Sequence, residues 1–230
     1  MAEFDTHKNK LTVKLVYYGP ALSGKTTNLM RLHDQLQAEL KGEMMVLETN
    51  DDRTLFFDLL PLGMTAPSGL LLKLKLFTVP GQVAHDSTRK AVLSRADGVV
   101  FVADSQRTQS INNGVSFENL AANAARVGLD FDHLPMVVQF NKRDLPEVLT
   151  EQEILARWRD TQWPLVFSSA LQNSGVVETF QELLQQVYRS LDEDYTLAKQ
   201  HGLTAEMFVA GVMGDEYTQV RRRVANEPSS

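Results

Sequence analysis

The stretch Gly19-Pro20-Ala21-Leu22-Ser23-Gly24-Lys25-Thr26 fits G-x-x-x-x-G-K-[ST] and follows directly on the apolar run Leu11 to Tyr18. That order restricts the chain to folds in which a strand turns into a helix through a loop that wraps phosphates. Each residue type in it has a chemical reason. Glycines let backbone N–H groups close around phosphate oxygens, Lys25 reaches the β and γ oxygens, and the Thr26 hydroxyl is a ligand for Mg²⁺. The helix that follows turns its positive end toward the anion. The expected phosphate-loop contacts are therefore Gly19, Ala21, Leu22, Ser23, Gly24, Lys25, Thr26 and Thr27.

Composition narrows the class further. A chain of 230 residues with 43% hydrophobic and 23% charged residues can build one α/β domain with an appendage and needs no covalent staples. The net charge of −6 argues against a nucleic-acid or anionic-membrane binder, since both surfaces select clustered Lys and Arg. Without cysteine there is no disulfide framework, thiolate metal site, prenylation or palmitoylation. Met1-Ala2-Glu3-Phe4-Asp5 lacks the basic and apolar regions of a signal peptide, and no apolar run approaches the length of a membrane span. The expectation is a cytoplasmic protein without a direct membrane anchor, monomeric when alone.

Strand patterns alternate with helix patterns along the chain, as crossover-connected parallel strands require. Leu11 to Tyr18 reads as the first strand, and Thr26 to Leu40 as a helix with Leu29, Leu32, Leu36 and Leu40 on one face. Glu43 to Arg53 reads as a long loop. Leu55 to Met64 and Leu70 to Val79 read as an antiparallel pair, the first demoted to an edge strand by Pro61. Gly98 to Asp104, Pro135 to Asn141 and Pro164 to Ser169 are buried-strand runs. Helical segments are expected at Arg89 to Leu93, Asn113 to Val127, Glu151 to Asp160 and from Val176 onward, with Thr150 and Glu153 forming a capping box. The fold class expected is α/β, a P-loop nucleotide-binding fold with a mostly parallel six-stranded sheet, one antiparallel edge strand, and helices on both faces.

On such a fold, nucleotides bind beyond the carboxyl ends of the strands. Three further segments stand at those ends. Thr78-Val79-Pro80-Gly81-Gln82 resembles the D-x-x-G-Q element of Ras-like GTPases, in which Gly81 would bring an N–H to the γ-phosphate and Gln82 would orient the attacking water. Asn141-Lys142-Arg143-Asp144 fits N-K-x-D, whose carboxylate accepts hydrogen bonds from the N1–H and amino group of guanine. Ser168-Ser169-Ala170 resembles the S-A-K element, with Ser169 and Ala170 set beside the base and a backbone N–H directed at guanine O6. The order of the motifs favours GTP and GDP over ATP. An ATP-dependent phosphotransferase would leave Asn141 to Asp144 unexplained.

From about Lys10 to Leu191 the chain resembles the MglA-like bacterial Ras-like GTPases of gliding motility and cell polarity. The resemblance is carried by Val16-Tyr17-Tyr18-Gly19-Pro20, Gly24 to Leu29, Asp52 to Asp58, Thr78 to Gln82, Val100 to Ser105 and Asn141 to Pro146. It implies a GTP/GDP switch that recruits polarity or motility effectors when GTP-bound and is drawn to cell poles through partners. It also implies a roadblock-domain activating partner of the MglB type. By the same resemblance Arg53 is an arginine finger supplied from the protein's own first switch loop, neutralising charge on the transferred phosphoryl group. Arg53 and Gln82 are then the catalytic pair. Thr26 and Thr54 are the metal ligands, Thr54 and Gly81 sense the γ-phosphate, and Asn141, Lys142 and Asp144 select guanine. Phe56 and Phe57 read first as packing residues; His85 and Arg89 fall in the second switch and read first as ordinary polar positions of a helix.

Two departures qualify this. Thr78 replaces the Mg²⁺-associated Asp of Ras-like proteins, a trait shared by MglA-like chains, with the metal held by Thr26, Thr54 and phosphate oxygens and with Asp58 or Asp104 as candidates to compensate. A non-hydrolysing, nucleotide-gated scaffold is the alternative function. Residues 192–224 form an expected helical extension beyond the GTPase domain of residues 10–191, with Phe208, Val209, Val212, Met213, Tyr217 and Val220 near helical spacing and Gly202, Gly211 and Gly214 interrupting it. A disordered tail is expected over residues 225–230.

Overall fold

A computed structural model of the chain describes residues 2–36, 44–49, 53–81 and 86–214, those between 44 and 61 by backbone alone. In chain order the elements are β1 (Glu3–Asp5), β2 (Lys10–Tyr18), α1 (Lys25–Gln35), β3 (Met44–Thr49), β4 (Arg53–Thr65), β5 (Leu71–Thr78), α2 (Asp86–Leu93), β6 (Gly98–Asp104), α3 (Ser110–Arg126), β7 (Met136–Asn141), α4 (Glu151–Trp158), β8 (Leu165–Phe167), α5 (Val176–Tyr195), α6 (Leu197–His201) and α7 (Ala205–Met213).

The strands form one sheet in the order β3-β4-β5-β2-β6-β7-β8, with β1 paired antiparallel to β2. β2, β5, β6, β7 and β8 run parallel, so their carboxyl ends open on one edge. This is the expected α/β class with two strands more than expected. β1 pairs with Lys10 to Thr12, the part of β2 that lies below the segment Leu15 to Tyr18 taken by β6. β3 occupies Met44 to Thr49, where a long loop was expected, and pairs antiparallel with β4.

β3 rather than β4 is therefore the outer strand. Pro61 is still accommodated as its chemistry demands: the last β3–β4 pair is Met44 with Leu59, and the β4–β5 register shifts between Leu59 and Leu62. A residue without an N–H thus falls where the ladder is already interrupted.

Period-two alternation sends successive strand side chains to opposite faces. Leu11, Val13, Leu15 and Tyr17 of β2 meet Leu29 and Leu32 of α1, Phe180, Leu183 and Leu184 of α5, and Phe208 and Val212 of α7. Val16 and Tyr18 face the other way, toward Val92 and Leu93 of α2, Leu120 of α3 and Ile154 of α4. Burying each such side chain contributes about 1.5–3 kcal/mol, and this double core holds the strand ends rigid beneath the loops. The capping box of α4 is present in both halves.

The first helix ends at Gln35, and Leu40 lies outside the described residues. Gly211 does not interrupt the helical pattern expected there but sits inside α7. A Cβ on Gly211 would come within 2.7 Å of Met64 Cε and 2.9 Å of Met64 Sδ, so a glycine lets this helix approach β4. The extension is tied down elsewhere: Tyr188 Oη donates to Leu203 O at 2.6 Å, and Ser68 Oγ lies 2.8 Å from His201 Nδ1. Tyr217, Val220 and the tail over residues 225–230 lie outside the described residues.

Candidate functional site

Residues 19–24 leave the end of β2 and enter α1 through two left-handed glycines, Gly19 (φ 143°) and Gly24 (φ 99°). Neither tolerates a side chain. A Cβ on Gly19 would lie 2.2 Å from Val102 O, and one on Gly24 would lie 2.3 Å from Asn141 Nδ2. No side chain caps α1 and its first turn holds no acid, so its positive end faces the loop. Ala21 and Leu22 are exposed at the rim, Thr26 and Thr27 half-buried, and Ser23 buried with no partner for its Oγ.

Lys25 is buried within this loop. Its Nζ donates to Gly19 O at 3.0 Å and Pro20 O at 2.6 Å, folding the ammonium onto the loop's own carbonyls. Desolvation, reinforced by the Arg89 guanidinium, pulls its pKa down from 10.5 to about 7. Because the folded value lies below the unfolded one, the unfolded chain holds the extra proton between about pH 7 and 10.5. The stability of the nucleotide-free chain therefore rises with pH across that window. A bound polyanion favours the ammonium again, so nucleotide binding above pH 7 should take up close to one proton and weaken by up to about tenfold per pH unit. Calorimetric titration at pH 8.5 in buffers of different ionisation enthalpy tests this; a binding enthalpy independent of buffer would contradict it.

The base side is built from the ends of β6, β7 and β8. Asn141 is buried. Its Nδ2 donates to Ser23 O at 2.9 Å, and its Oδ1 accepts from Ser168 Oγ at 3.1 Å and from the Ala170 N–H at 2.9 Å. One amide thus joins the phosphate loop to both base loops. A backbone N–H of Ser168-Ser169-Ala170 was expected at guanine O6; that of Ala170 reaches such an oxygen only by sharing or leaving its bond to Asn141.

Lys142 sits in a left-handed turn (φ 67°) and donates to Asp104 Oδ2 at 2.7 Å. Asp104 also accepts from the Gln106 N–H, so its carboxylate ties the loop after β6 to the loop after β7. Asp144 accepts from Ser169 Oγ at 2.5 Å, which orients the carboxylate for a second pair of donors. Asn28 was not anticipated. Its Nδ2 donates to Gly24 O, and Gln139 Nε2 donates both to Asn28 Oδ1 and to Thr179 Oγ1, bracing α1 against β7 and α5. Its place three residues after Lys25 on the face shared with Leu29 and Leu32 was the available signal.

On the γ-phosphate side, Gly81 lies directly against the phosphate loop, where a Cβ would meet Ala21 Cα at 2.2 Å. Thr78 is buried at the end of β5 with no hydrogen-bond partner for its Oγ1. Arg53 and Thr54 lie in β4, opposite Thr49 and Glu48 of β3, rather than in an open loop. Gln82 and His85 lie outside the described residues, as do the side chains of Phe56, Phe57 and Asp58. Arg89 is not the ordinary polar helix position that was expected: it is 0% exposed, beneath α2.

A phosphate loop at the carboxyl edge of a mostly parallel sheet, with an Asn-Lys-x-Asp loop coupled to it, defines a GTPase of the P-loop class. The family model described as Arf, ADP-ribosylation factor family, matches residues 66–187. The mutual gliding-motility protein MglA of Myxococcus xanthus is 41% identical over 191 residues, 83% of this chain and 98% of that protein. ADP-ribosylation factor-like protein 6 of Caenorhabditis elegans is 24% identical over 192 residues, 81% of this chain and 93% of its own length. Its counterpart in Caenorhabditis briggsae is 26% identical over 195 residues, 80% of this chain and 90% of its own. The chain belongs to the MglA-like small GTPases within the ADP-ribosylation factor family: it binds guanine nucleotide and hydrolyses GTP.

Proposed function

We propose that this GTPase is a polarity or motility switch, recruiting effector proteins when GTP-bound and returned to its GDP form with the help of a roadblock-domain partner of the MglB type. The observation that carries the reading is the 41% identity spanning 98% of MglA, whose name states gliding motility. Arg53 and Gln82 promote hydrolysis in this scheme, Gly19 to Thr27 hold the phosphates, and Asn141, Lys142 and Asp144 with Ser169 and Ala170 hold the base. Thr26 and Thr54 ligate Mg²⁺. Among the described residues no cluster of three or more His, Asp or Glu could hold a metal. The ion would therefore take its remaining ligands from phosphate oxygens and water, the usual habit of Mg²⁺. The buried, unpartnered hydroxyl of Thr78 at the carboxyl end of β5 fits such a hydrated centre.

In this scheme the β3–β4 hairpin that carries Arg53 and Thr54 is remodelled before either residue serves the phosphates, and turnover by the chain alone is slow. Residues 10–191 form the catalytic domain in this reading and residues 192–224 an extension. No helix among the described residues is long and apolar enough to cross a membrane. In this reading the protein is cytoplasmic and is brought to the poles by its partners. The test is the affinity of a roadblock-family dimer for the chain loaded with GDP or with a non-hydrolysable GTP analogue. At least a tenfold preference for the analogue is expected, within the usual range of such couplings. Equal affinity for the two forms would remove the switch reading while leaving GTP hydrolysis intact.

A further inference from the structure

We propose that Arg89 is a positioning residue for GTP hydrolysis, its guanidinium holding the Val79–Gly81 turn beside the γ-phosphate. The inference rests on the GTPase activity and adds a residue to it. Arg89 is the largest fully buried side chain in the structure. Its guanidinium lies 4.6 Å over the Tyr18 ring, and Nη2 donates to Ser116 Oγ at 3.2 Å. Nε and Nη1 are buried and have no acceptor among the described residues.

A buried charge with two unmet donors destabilises a fold. An apolar side chain of similar volume would stabilise this site, so packing alone gives no reason for an arginine here. The surroundings identify what the free donors await. Tyr18 is the last residue of β2 before Gly19, and Val79 leaves the neighbouring β5 into the same core layer as Tyr18. The Val79 N–H donates to Tyr17 O, which ties the start of the turn to the strand carrying the phosphate loop. Arg89, stacked over Tyr18, and the turn that ends at Gly81 are thus both attached to the end of β2, and this turn lies against Ala21.

GTP, by filling the loop, requires Gly81 to leave Ala21. The carbonyls of the shifted turn then become acceptors for Nε and Nη1, so the cost of burying Arg89 is offset only in the hydrolytic state. The anchor for this movement is firm. Asp86 at the start of α2 accepts from Asn119 and Asn123 and pairs with Arg126 of α3, and the Tyr18 hydroxyl donates to Asn119 Oδ1 at 2.6 Å.

The test uses full-length GDP-loaded Arg89→Met and Arg89→Lys. For each, melting temperature, GTP affinity and single-turnover hydrolysis are measured beside the parent, whose own hydrolysis checks the GTPase reading separately. Arg89→Met should melt about 3 °C higher or more, bind GTP within about threefold, and hydrolyse it at least tenfold more slowly. Arg89→Lys keeps the charge but loses the forked donors, and should also lose hydrolysis at least tenfold. A lower melting temperature in Arg89→Met would make Arg89 a structural residue and overturn the proposal. So would parental hydrolysis by either variant, and Arg89→Lys decides the matter if Arg89→Met does not fold.

Discussion

Arg53→Ala is expected to bind GTP and GDP within about threefold of the parent and to lose about 10³- to 10⁵-fold in partner-stimulated single-turnover hydrolysis. An arginine finger meets its full charge partner only as the phosphoryl group transfers, so removing it raises the barrier without weakening ground-state binding. The backbone adds a second expectation. Arg53 pairs with Thr49 and Thr54 with Glu48 on the outermost hairpin of the sheet, two strands removed from the β2 strand that carries the phosphate loop. If Arg53 acts as a finger, its contribution depends on how a partner sets this hairpin. The partner-free rate of Arg53→Ala should fall far less than the stimulated rate. Arg53→Lys should not rescue stimulation, because a compact ammonium lacks the planar fork that spans phosphoryl oxygens. Equal stimulation of parent and Arg53→Ala would show that the partner supplies the catalytic charge.

Asp144→Ala should lower guanine nucleotide affinity about 10²- to 10⁴-fold. It removes two hydrogen bonds to a charged acceptor, each contributing about 1.5–3 kcal/mol. The loss should be selective for the base, since the phosphate loop keeps Lys25 and its backbone donors. Asp144→Asn makes the sharper test. Its amide can donate to the C2 carbonyl of xanthine where the carboxylate accepted from the guanine amino group, so preference should shift toward xanthosine nucleotides. Ser169 Oγ already donates to the carboxylate and can continue to an amide oxygen, which keeps the loop in place. Competition of labelled GDP against GTP and XTP reads both variants. An unchanged guanine preference would place base recognition elsewhere.

The motifs that locate this site were legible because each acts through contiguous backbone. Gly19 and Gly24 are glycines since a Cβ at either would strike Val102 O or Asn141 Nδ2, and their spacing from Lys25 is set within one loop. Strand runs such as Gly98–Asp104 and Met136–Asn141 were equally readable, their residues buried on both faces as a central parallel strand requires. The segment from Glu43 to Arg53 was read as a loop because its polar stretch, Glu48 to Asp52, masks the apolar Met44 to Leu47 that pairs with β4. Edge strands carry weak periodicity, since only one neighbour and no continuous core constrain them.

By itself the sequence determined a G-x-x-x-x-G-K-T loop and an N-K-x-D segment, their order on alternating strands and helices, and hence a small-GTPase α/β fold. These depend on residues adjacent in the chain. Only the tertiary structure decided that Asn141 joins Ser23, Ser168 and Ala170, that Asp104 is committed to Lys142, that Gly211 is a packing residue against Met64, and that Arg89 is buried. In each case the deciding neighbour is brought close by the sheet order rather than by the chain. A polar side chain's role then follows from which donors and acceptors the packing leaves beside it.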